Sequence, residues 1–211
     1  MHQITFISTI HIEMGKCNDN ELCKIIENIS PEVIFLEAID ETYSSYDKYL
    51  FNSFGIFHKK LEVSAIQKYT EKIPVEYIPV LDTGLSADFD TKYKMVSENS
   101  ELQRMIDNFN SLAWHYGFEF LNSTESIKLQ DEMRTLESRL LNDSQVETMA
   151  NVEIDAYENS MIRNIYNYCQ KNVFHSAIFM CGVAHRKSII KKLEKLNAEE
   201  QANLNWIVFE Y

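Results

Sequence analysis

Four residues stand where an apolar run gives out. His11 follows Ile4-Thr5-Phe6-Ile7-Ser8-Thr9-Ile10, Glu37 follows Val33-Ile34-Phe35-Leu36, Asp82 follows the run 75–81, and His185 comes shortly after Ala177-Ile178-Phe179-Met180-Cys181. Two imidazoles with one or two carboxylates are a donor set suited to Zn, Mn, Fe or Co, with positions left open for water. An ion held this way lowers the pKa of its water and polarises a carbonyl or phosphoryl oxygen. The same residues can also work without metal, a histidine and a glutamate acting as base and orienter. A plainer role is open to them as well, because a histidine at a strand end can be a hydrogen-bonded structural residue and a glutamate there can simply pair with a lysine. The other histidines, His2, His58, His115 and His175, have no matched partners in the pattern and read as structural or surface residues.

For the four to meet, the apolar runs must be strands of one sheet, since ligands of an open parallel sheet bind beyond the carboxyl ends of its strands. Strands are expected over 4–9, 33–36, 75–81, 177–181 and 206–209. They are continuously apolar, as in parallel strands covered on both faces. Helices alternate with them. Asn18 and Glu21 form a capping pair ahead of the stripe Leu22, Ile25, Ile26 and Ile29, which Ser30-Pro31 stops; a second helix spans 61–72; a third follows His185 and carries Ile189, Ile190, Leu193 and Leu196. This alternation predicts an α/β fold with a mostly parallel central sheet flanked by helices. Between the third and fourth strands, 97–171 reads as a helical insertion or cap. Its first stripe is Leu102, Met105, Ile106, Phe109, Leu112, Ala113 and Tyr116. The second is Leu129, Met133, Leu136 and Leu140. A third helix opens on a Ser144–Glu147 capping box and continues through Tyr157, Met161, Ile165 and Tyr168. No linker sets the insertion apart, so 1–211 is expected to be one domain.

Composition narrows the function. At 211 residues, with 45% hydrophobic and 25% charged residues, the chain has material for one substantial core. Five glycines and three prolines are too few for the many tight turns of a sandwich or barrel. A formal charge of −12 repels phosphate backbones and anionic bilayers, which argues against nucleic-acid and membrane partners. The one basic cluster, Arg186, Lys187, Lys191, Lys192 and Lys195, reads as a solvated helix face. The four cysteines have no zinc-ribbon or CxxC spacing, and Cys181 reads as a buried small hydrophobe. No signal-peptide pattern opens the sequence and no apolar run reaches the ~18 residues of a membrane helix, so a cytoplasmic protein is expected. Nucleotide-binding glycine motifs and a GxSxG elbow are absent. Oligomeric state is not fixed by any of this, and a homo-oligomer stays open.

Three motifs in order resemble the TraB/PrgY, Tiki, ChaN and erythromycin-esterase-like superfamily: Ser8-Thr9-Ile10-His11, then Pro31-Glu32-Val33-Ile34-Phe35-Leu36-Glu37, and far downstream Gly182-Val183-Ala184-His185. The resemblance spans nearly the whole chain and rests on the order and spacing of short motifs. It implies a hydrolase-like scaffold with the histidines and glutamate in a cleft. Its branches include divalent-metal-dependent proteases, metal-independent esterases and haem binders. Two positions depart from the pattern. Ser8 stands where the family usually has Gly, and Tyr157 occupies the Arg position of an R-[DE]-x-x-M-like pattern, here Tyr157-Glu158-Asn159-Ser160-Met161. Arg163, six residues on, falls on another helix face.

The expected function is hydrolysis of an amide, peptide or ester bond in a small-molecule or peptide substrate. Glu37, His11 and His185 are the expected catalytic residues, with Tyr157 and Glu158 facing the substrate from the cap. The expected ligands of a divalent ion (Mn, Co, Fe or Zn) are His11, Glu37, His185 and Asp82. The alternative is a non-catalytic module that binds haem or a small molecule, or regulates, through a degenerate site. A third reading is an interaction protein working through the aromatic segment 43–57.

Overall fold

The computed structural model describes residues 2–39, 60–85, 92, 94–142, 144–196 and 204–211. In chain order the elements are β1 (His2–Thr9), α1 (Asp19–Ile29), β2 (Val33–Ile39), α2 (Leu61–Thr70), β3 (Glu76–Leu81), α3 (Ser100–Tyr116), α4 (Phe118–Leu121), α5 (Thr124–Leu141) and α6 (Ser144–Lys171). After these come β4 (Ser176–Gly182), a 3-10 turn (Val183–His185), α7 (Arg186–Lys195) and β5 (Leu204–Val208). The five strands form one sheet in the order β3-β2-β4-β1-β5. Every pairing is parallel, so the α/β expectation holds with no antiparallel strand among the described residues.

Alternation along the strands divides the interior into two cores. Ile7, Ile34, Leu36, Ile178 and Met180 face one side, where Leu22 and Ile26 of α1, Ile66 of α2, Phe109 of α3 and Met133 of α5 cover them. Ile4, Phe6, Val33, Phe35, Ala177 and Phe179 face the other, under Met161 and Ile165 of α6 and Ile189 and Leu193 of α7. The handedness of parallel crossovers explains this division. The chain runs through α1 from β1 past β4 to β2, and through α7 from β4 past β1 to β5. Right-handed crossovers in opposite directions must lie on opposite faces. The insertion follows the same logic, with α3 and α5 on one face and α6 on the other, so its helices clad the whole sheet.

Local signals account for several boundaries. Asn18 caps α1, its side chain accepting from the Glu21 N–H at 3.0 Å, and Ser30 ends the helix in the left-handed region (φ 52) just before Pro31. Pro79 sits inside β3, where it is tolerated because β3 is an edge strand with one unpaired side. The expected stripes hold at Leu102, Phe109, Ala113, Met133 and Leu136 but fail at Tyr116 (54% exposed) and Leu140 (37% exposed), both in the last turn of their helices. The Ser144 side chain, the aromatic segment 43–57 and His58 lie outside the described residues.

The basic cluster needs correction. Lys191 and Lys195 are exposed, but Lys187 pairs with Asp131, Lys192 is largely buried against Asp155, and Arg186 is only 2% exposed. Its guanidinium donates to Ser8 Oγ, to the Asn122 side-chain and backbone oxygens, and to the Phe209 carbonyl. Burial lowers its pKa to about 10. The first residue of α7 thus ties β1, the insertion and the C-terminal segment together. No helix among the described residues is long and apolar enough to cross a membrane.

Gly15 secures the loop that carries His11. Its φ is +52, and a Cβ there would lie 2.3 Å from the Trp114 carbonyl oxygen. Lys16 N–H donates to that same oxygen at 2.9 Å, which stitches the loop to the end of α3. Gly15→Ala is therefore expected to destabilise the protein by about 1–3 kcal/mol through overlap and left-handed strain. Chemical denaturation should show a lower midpoint with an unchanged slope.

Candidate functional site

β2, β4 and β1 are the three inner strands, and their register levels the ends. Leu36 pairs with Met180 and Thr9 with Gly182. Glu37 is then one residue past the first pair, while His11 and His185 follow the second by two and three residues. The three converge on Gly182, which has no side chain. A Cβ there would lie 3.4 Å from Glu37 Oε2, 3.8 Å from His185 Cδ2 and 3.9 Å from His11 Nε2. The missing methyl leaves a small cradle with a carboxylate and two imidazoles around it.

Glu37 is held from three directions. Tyr157 OH donates to Oε1 at 2.7 Å, the Gly182 N–H donates to Oε2 at 2.6 Å, and His185 Nε2 lies 3.7 Å from Oε1. Burial opposes ionisation of this carboxyl. The interaction with His185, the Gly182 and Tyr157 donors and His11 together outweigh it, so the Glu37 pKa lies below the ordinary carboxylate value. Tyr157 also stacks on His185, with ring centroids 5.5 Å apart and planes 26° from parallel. Burial and the neighbouring Glu37 push the phenol pKa far up, so its hydroxyl remains a donor.

Each imidazole is anchored by a carboxylate of its own. His11 Nδ1 is 2.9 Å from Glu62 Oε1, which also accepts from Thr9 Oγ1 at 2.8 Å. His185 Nδ1 is 2.9 Å from Glu158 Oε1, while Glu158 Oε2 accepts from Ser188 and lies 3.7 Å from Lys192 Nζ. The supports come from opposite layers, Glu62 from α2 and Glu158 from α6. Their side chains are 5% and 0% exposed. When Nδ1–H is donated to a carboxylate, the lone pair of a neutral ring is left on Nε2. The Glu62 hydrogen bond, opposed by burial, raises the His11 pKa above 6.5. The insertion braces the His185 turn as well: Arg134 of α5 donates to the Ala184 carbonyl, and Lys187 pairs with Asp131.

Of the residues singled out by sequence, His11, Glu37, His185, Tyr157 and Glu158 come together. Asp82 does not join them. Its carboxylate pairs with Arg163 and accepts from the Asn164 amide at 2.8 Å. Arg163 is thereby engaged at the β3 edge, and Tyr157 alone of the two meets the cluster. Glu158 is fully buried behind His185 and does not face outward as expected. Glu62, Ser188 and the Gly182 N–H were not anticipated; the available signal for Glu62 was a charge inside the buried stretch Leu61, Val63, Ala65 and Ile66. His2 bonds the Phe174 carbonyl and His115 the Ser111 carbonyl, in keeping with structural roles. All four cysteines are free and buried. Among the described residues no group of three or more His, Cys, Asp or Glu side chains is placed so that it could hold a metal ion.

Comparison with known proteins finds no matching family model, curated protein or solved structure. Fold and site define the chain as a parallel α/β protein with a carboxylate-supported histidine pair at the rim of its sheet.

Glu62→Gln tests the His11 anchor. Because the folded pKa lies above 6.5, the pair's contribution to stability is complete below 6.5 and fades as pH rises through the folded value. In the variant, the His11 titration followed by NMR should move down, with the global fold unchanged.

Proposed function

We propose that this rim is the active site of a hydrolase acting on an amide, peptide or ester bond of a small-molecule or peptide substrate. The observation that carries the reading is the pair of Glu–His dyads, Glu62–His11 and Glu158–His185, turned toward one buried ionised carboxylate around the Gly182 cradle. Such dyads orient an imidazole and stabilise the cation it becomes on taking a proton. The motif resemblance to the TraB/Tiki-like superfamily supports the same class.

The low pKa of Glu37 determines how the roles divide. A carboxyl held ionised by three partners is a weak proton acceptor, so the base is better assigned to an imidazole and Glu37 to charge stabilisation. His11 is half-exposed and so open to substrate, and it is the acceptor we assign. Water attacks the carbonyl carbon, its proton passes to His11 Nε2, and the same proton is then delivered to the leaving group. Glu62 holds the ring and balances its transient charge. His185, fixed between Glu158, Tyr157 and Glu37, faces the developing oxyanion.

A divalent ion suits this donor set in kind, although the side chains as placed do not form a metal site and both Glu37 oxygens already accept hydrogen bonds. Two imidazoles with carboxylate-anchored Nδ1 atoms and one ionised carboxylate surround a cradle that a single methyl would fill, and the ligands would be His11, His185 and Glu37. When bound, the ion supplies Lewis acidity toward the carbonyl oxygen and acidifies water. Asp82 is turned away to Arg163 and is not part of that set.

A second reading is favoured by Tyr157, which brings a neutral hydroxyl to Glu37 at the position where the resembling family carries a fixed cation. In that reading the rim binds haem or another small molecule without turnover, or serves regulation.

The test compares wild type, His11→Ala, Glu37→Gln and Gly182→Ala on a panel of chromogenic esters and peptides, with metal content measured by elemental mass spectrometry. Each variant should lose about 10²–10⁴-fold in rate. Gly182→Ala is the sharpest probe: its φ of −54 suits alanine and its methyl meets neighbours only at van der Waals distance, so folding should survive while the cradle is filled. Metal retained by wild type and lost in His11→Ala would assign the ion. Equal rates in all four proteins would defeat the hydrolase reading, and a Soret band on hemin titration, lost in His11→Ala, would then establish the binding module.

A further inference from the structure

The sheet has two edge strands, β3 and β5, and they are treated differently. At β3 the edge is closed. The Asn164 side chain of α6 donates to the Val80 carbonyl at 3.1 Å, and Tyr168 of the same helix donates to Glu76 at 2.6 Å. Pro79 removes an N–H from that strand, and a register shift between Leu36 and Ile39 interrupts its pairing with β2. Proline, a bulge and a covering helix are devices that keep an edge strand from pairing with another chain. β5 carries none of them. Its sequence Leu204-Asn205-Trp206-Ile207-Val208 holds no charge, proline or glycine, and it follows β1 through five consecutive pairs without a shift. The Phe209 N–H donates to the Phe6 carbonyl at 2.9 Å, so Asn205 and Ile207, two and four residues earlier, also turn their main chain to β1. Leu204, Trp206 and Val208 turn theirs to the open side, and no side chain among the described residues bonds those groups. Ile207 itself is 39% exposed.

We propose that β5 pairs antiparallel with β5 of a second copy of this chain, about a two-fold axis at Trp206, and so joins two sheets into one. Trp206 then faces its counterpart, and Leu204 of each copy faces Val208 of the other. These are the residues with outward main chain, so the three pairs exchange about six main-chain hydrogen bonds. Charge and closure select a second copy as the occupant. Two chains of net charge −12 repel wherever acids face each other, and this strand brings none to the contact. The antiparallel arrangement also sends the two Glu210 side chains to opposite ends of the ribbon. With β3 closed, a head-to-tail contact of β5 on β3 is blocked, so pairing ends at two copies and no filament grows. The inference is independent of any reaction at the rim.

The test is sedimentation velocity of the intact protein across a concentration series. Wild type should pass from monomer to dimer and go no further. Raising NaCl should favour the dimer, because salt screens the repulsion between acidic chains and the contact has no ion pair to lose. Ile207→Lys puts a charge on the open edge. Val208→Pro removes an outward N–H that the β1 ladder does not use, and so gives β5 the device that β3 carries at Pro79. Each should weaken association about tenfold, the scale of two main-chain hydrogen bonds. Circular dichroism and thermal melts matching wild type would place the loss at the contact; if the proline variant melts early, the lysine variant decides. A wild type that stays monomeric throughout would overturn the proposal and leave the edge to a strand of another protein. A dimer undiminished in Ile207→Lys, or assemblies growing past two copies, would overturn it as well.

Discussion

The strand Ser176–Gly182 hydrogen-bonds on one side to β1 and on the other to β2, and most of what is distinctive about this protein depends on that double pairing. Without it the first two strands would have no common neighbour, and His11 and Glu37 would stand at the ends of separate ribbons. With it, three strand ends are levelled and a residue without a side chain is placed between them. The parallel ladder fixes the register, because a slip of one residue would turn Phe179 and Cys181 from one core into the other.

The charged cluster is stable in its setting because every buried acid has donors. Glu37 accepts from a backbone N–H and a phenol, Glu62 from a threonine and an imidazole, Glu158 from a serine and an imidazole. A buried carboxylate lacking such donors would protonate rather than ionise. Both faces of the sheet contribute an acid, so the two imidazoles are set by layers that pack independently of each other. That arrangement holds the rings in place, with His11 Nε2 turned toward the cradle and His185 Nε2 toward Glu37.

Much of this was readable beforehand, for identifiable reasons. Continuous apolar runs ending in His11, Glu37 and His185 reported parallel strands, and the position of a polar residue at such an end is itself a constraint on where it lies. Asn18 and Ser30-Pro31 announced the ends of α1 through local hydrogen bonding and sterics, which require no tertiary knowledge. What stayed hidden was tertiary. Asp82 obeys the strand-end rule as well as Glu37 does, but β3 is an edge strand and its end is captured by Arg163 and Asn164 of α6. Arg186 looks like its lysine neighbours until Asn122, from the middle of the insertion, supplies the oxygens that let it be buried. Glu62 carries no motif at all; its role follows from where α2 lands against the loop after β1, shown by the Leu61 N–H donating to the His11 carbonyl at 3.1 Å.

The strand order also governs how the protein comes into being. During synthesis β1 emerges first, yet both of its sheet partners, β4 and β5, belong to the last stretch of the described chain. Until they appear, Ile4, Phe6 and Ile7 lack the two ladders they join in the folded sheet, and among the described strands only the β2–β3 pair can form from neighbouring sequence. Contacts this distant along the chain slow folding, since the loop must close before the pairing rewards it. The nascent chain therefore carries an unpaired, strongly apolar β1 until β4 is made, a state prone to aggregation and suited to chaperone protection. The rim assembles only when β4 inserts, so a chain stalled or cut before Ser176 would display His11 and Glu37 without ever bringing them together.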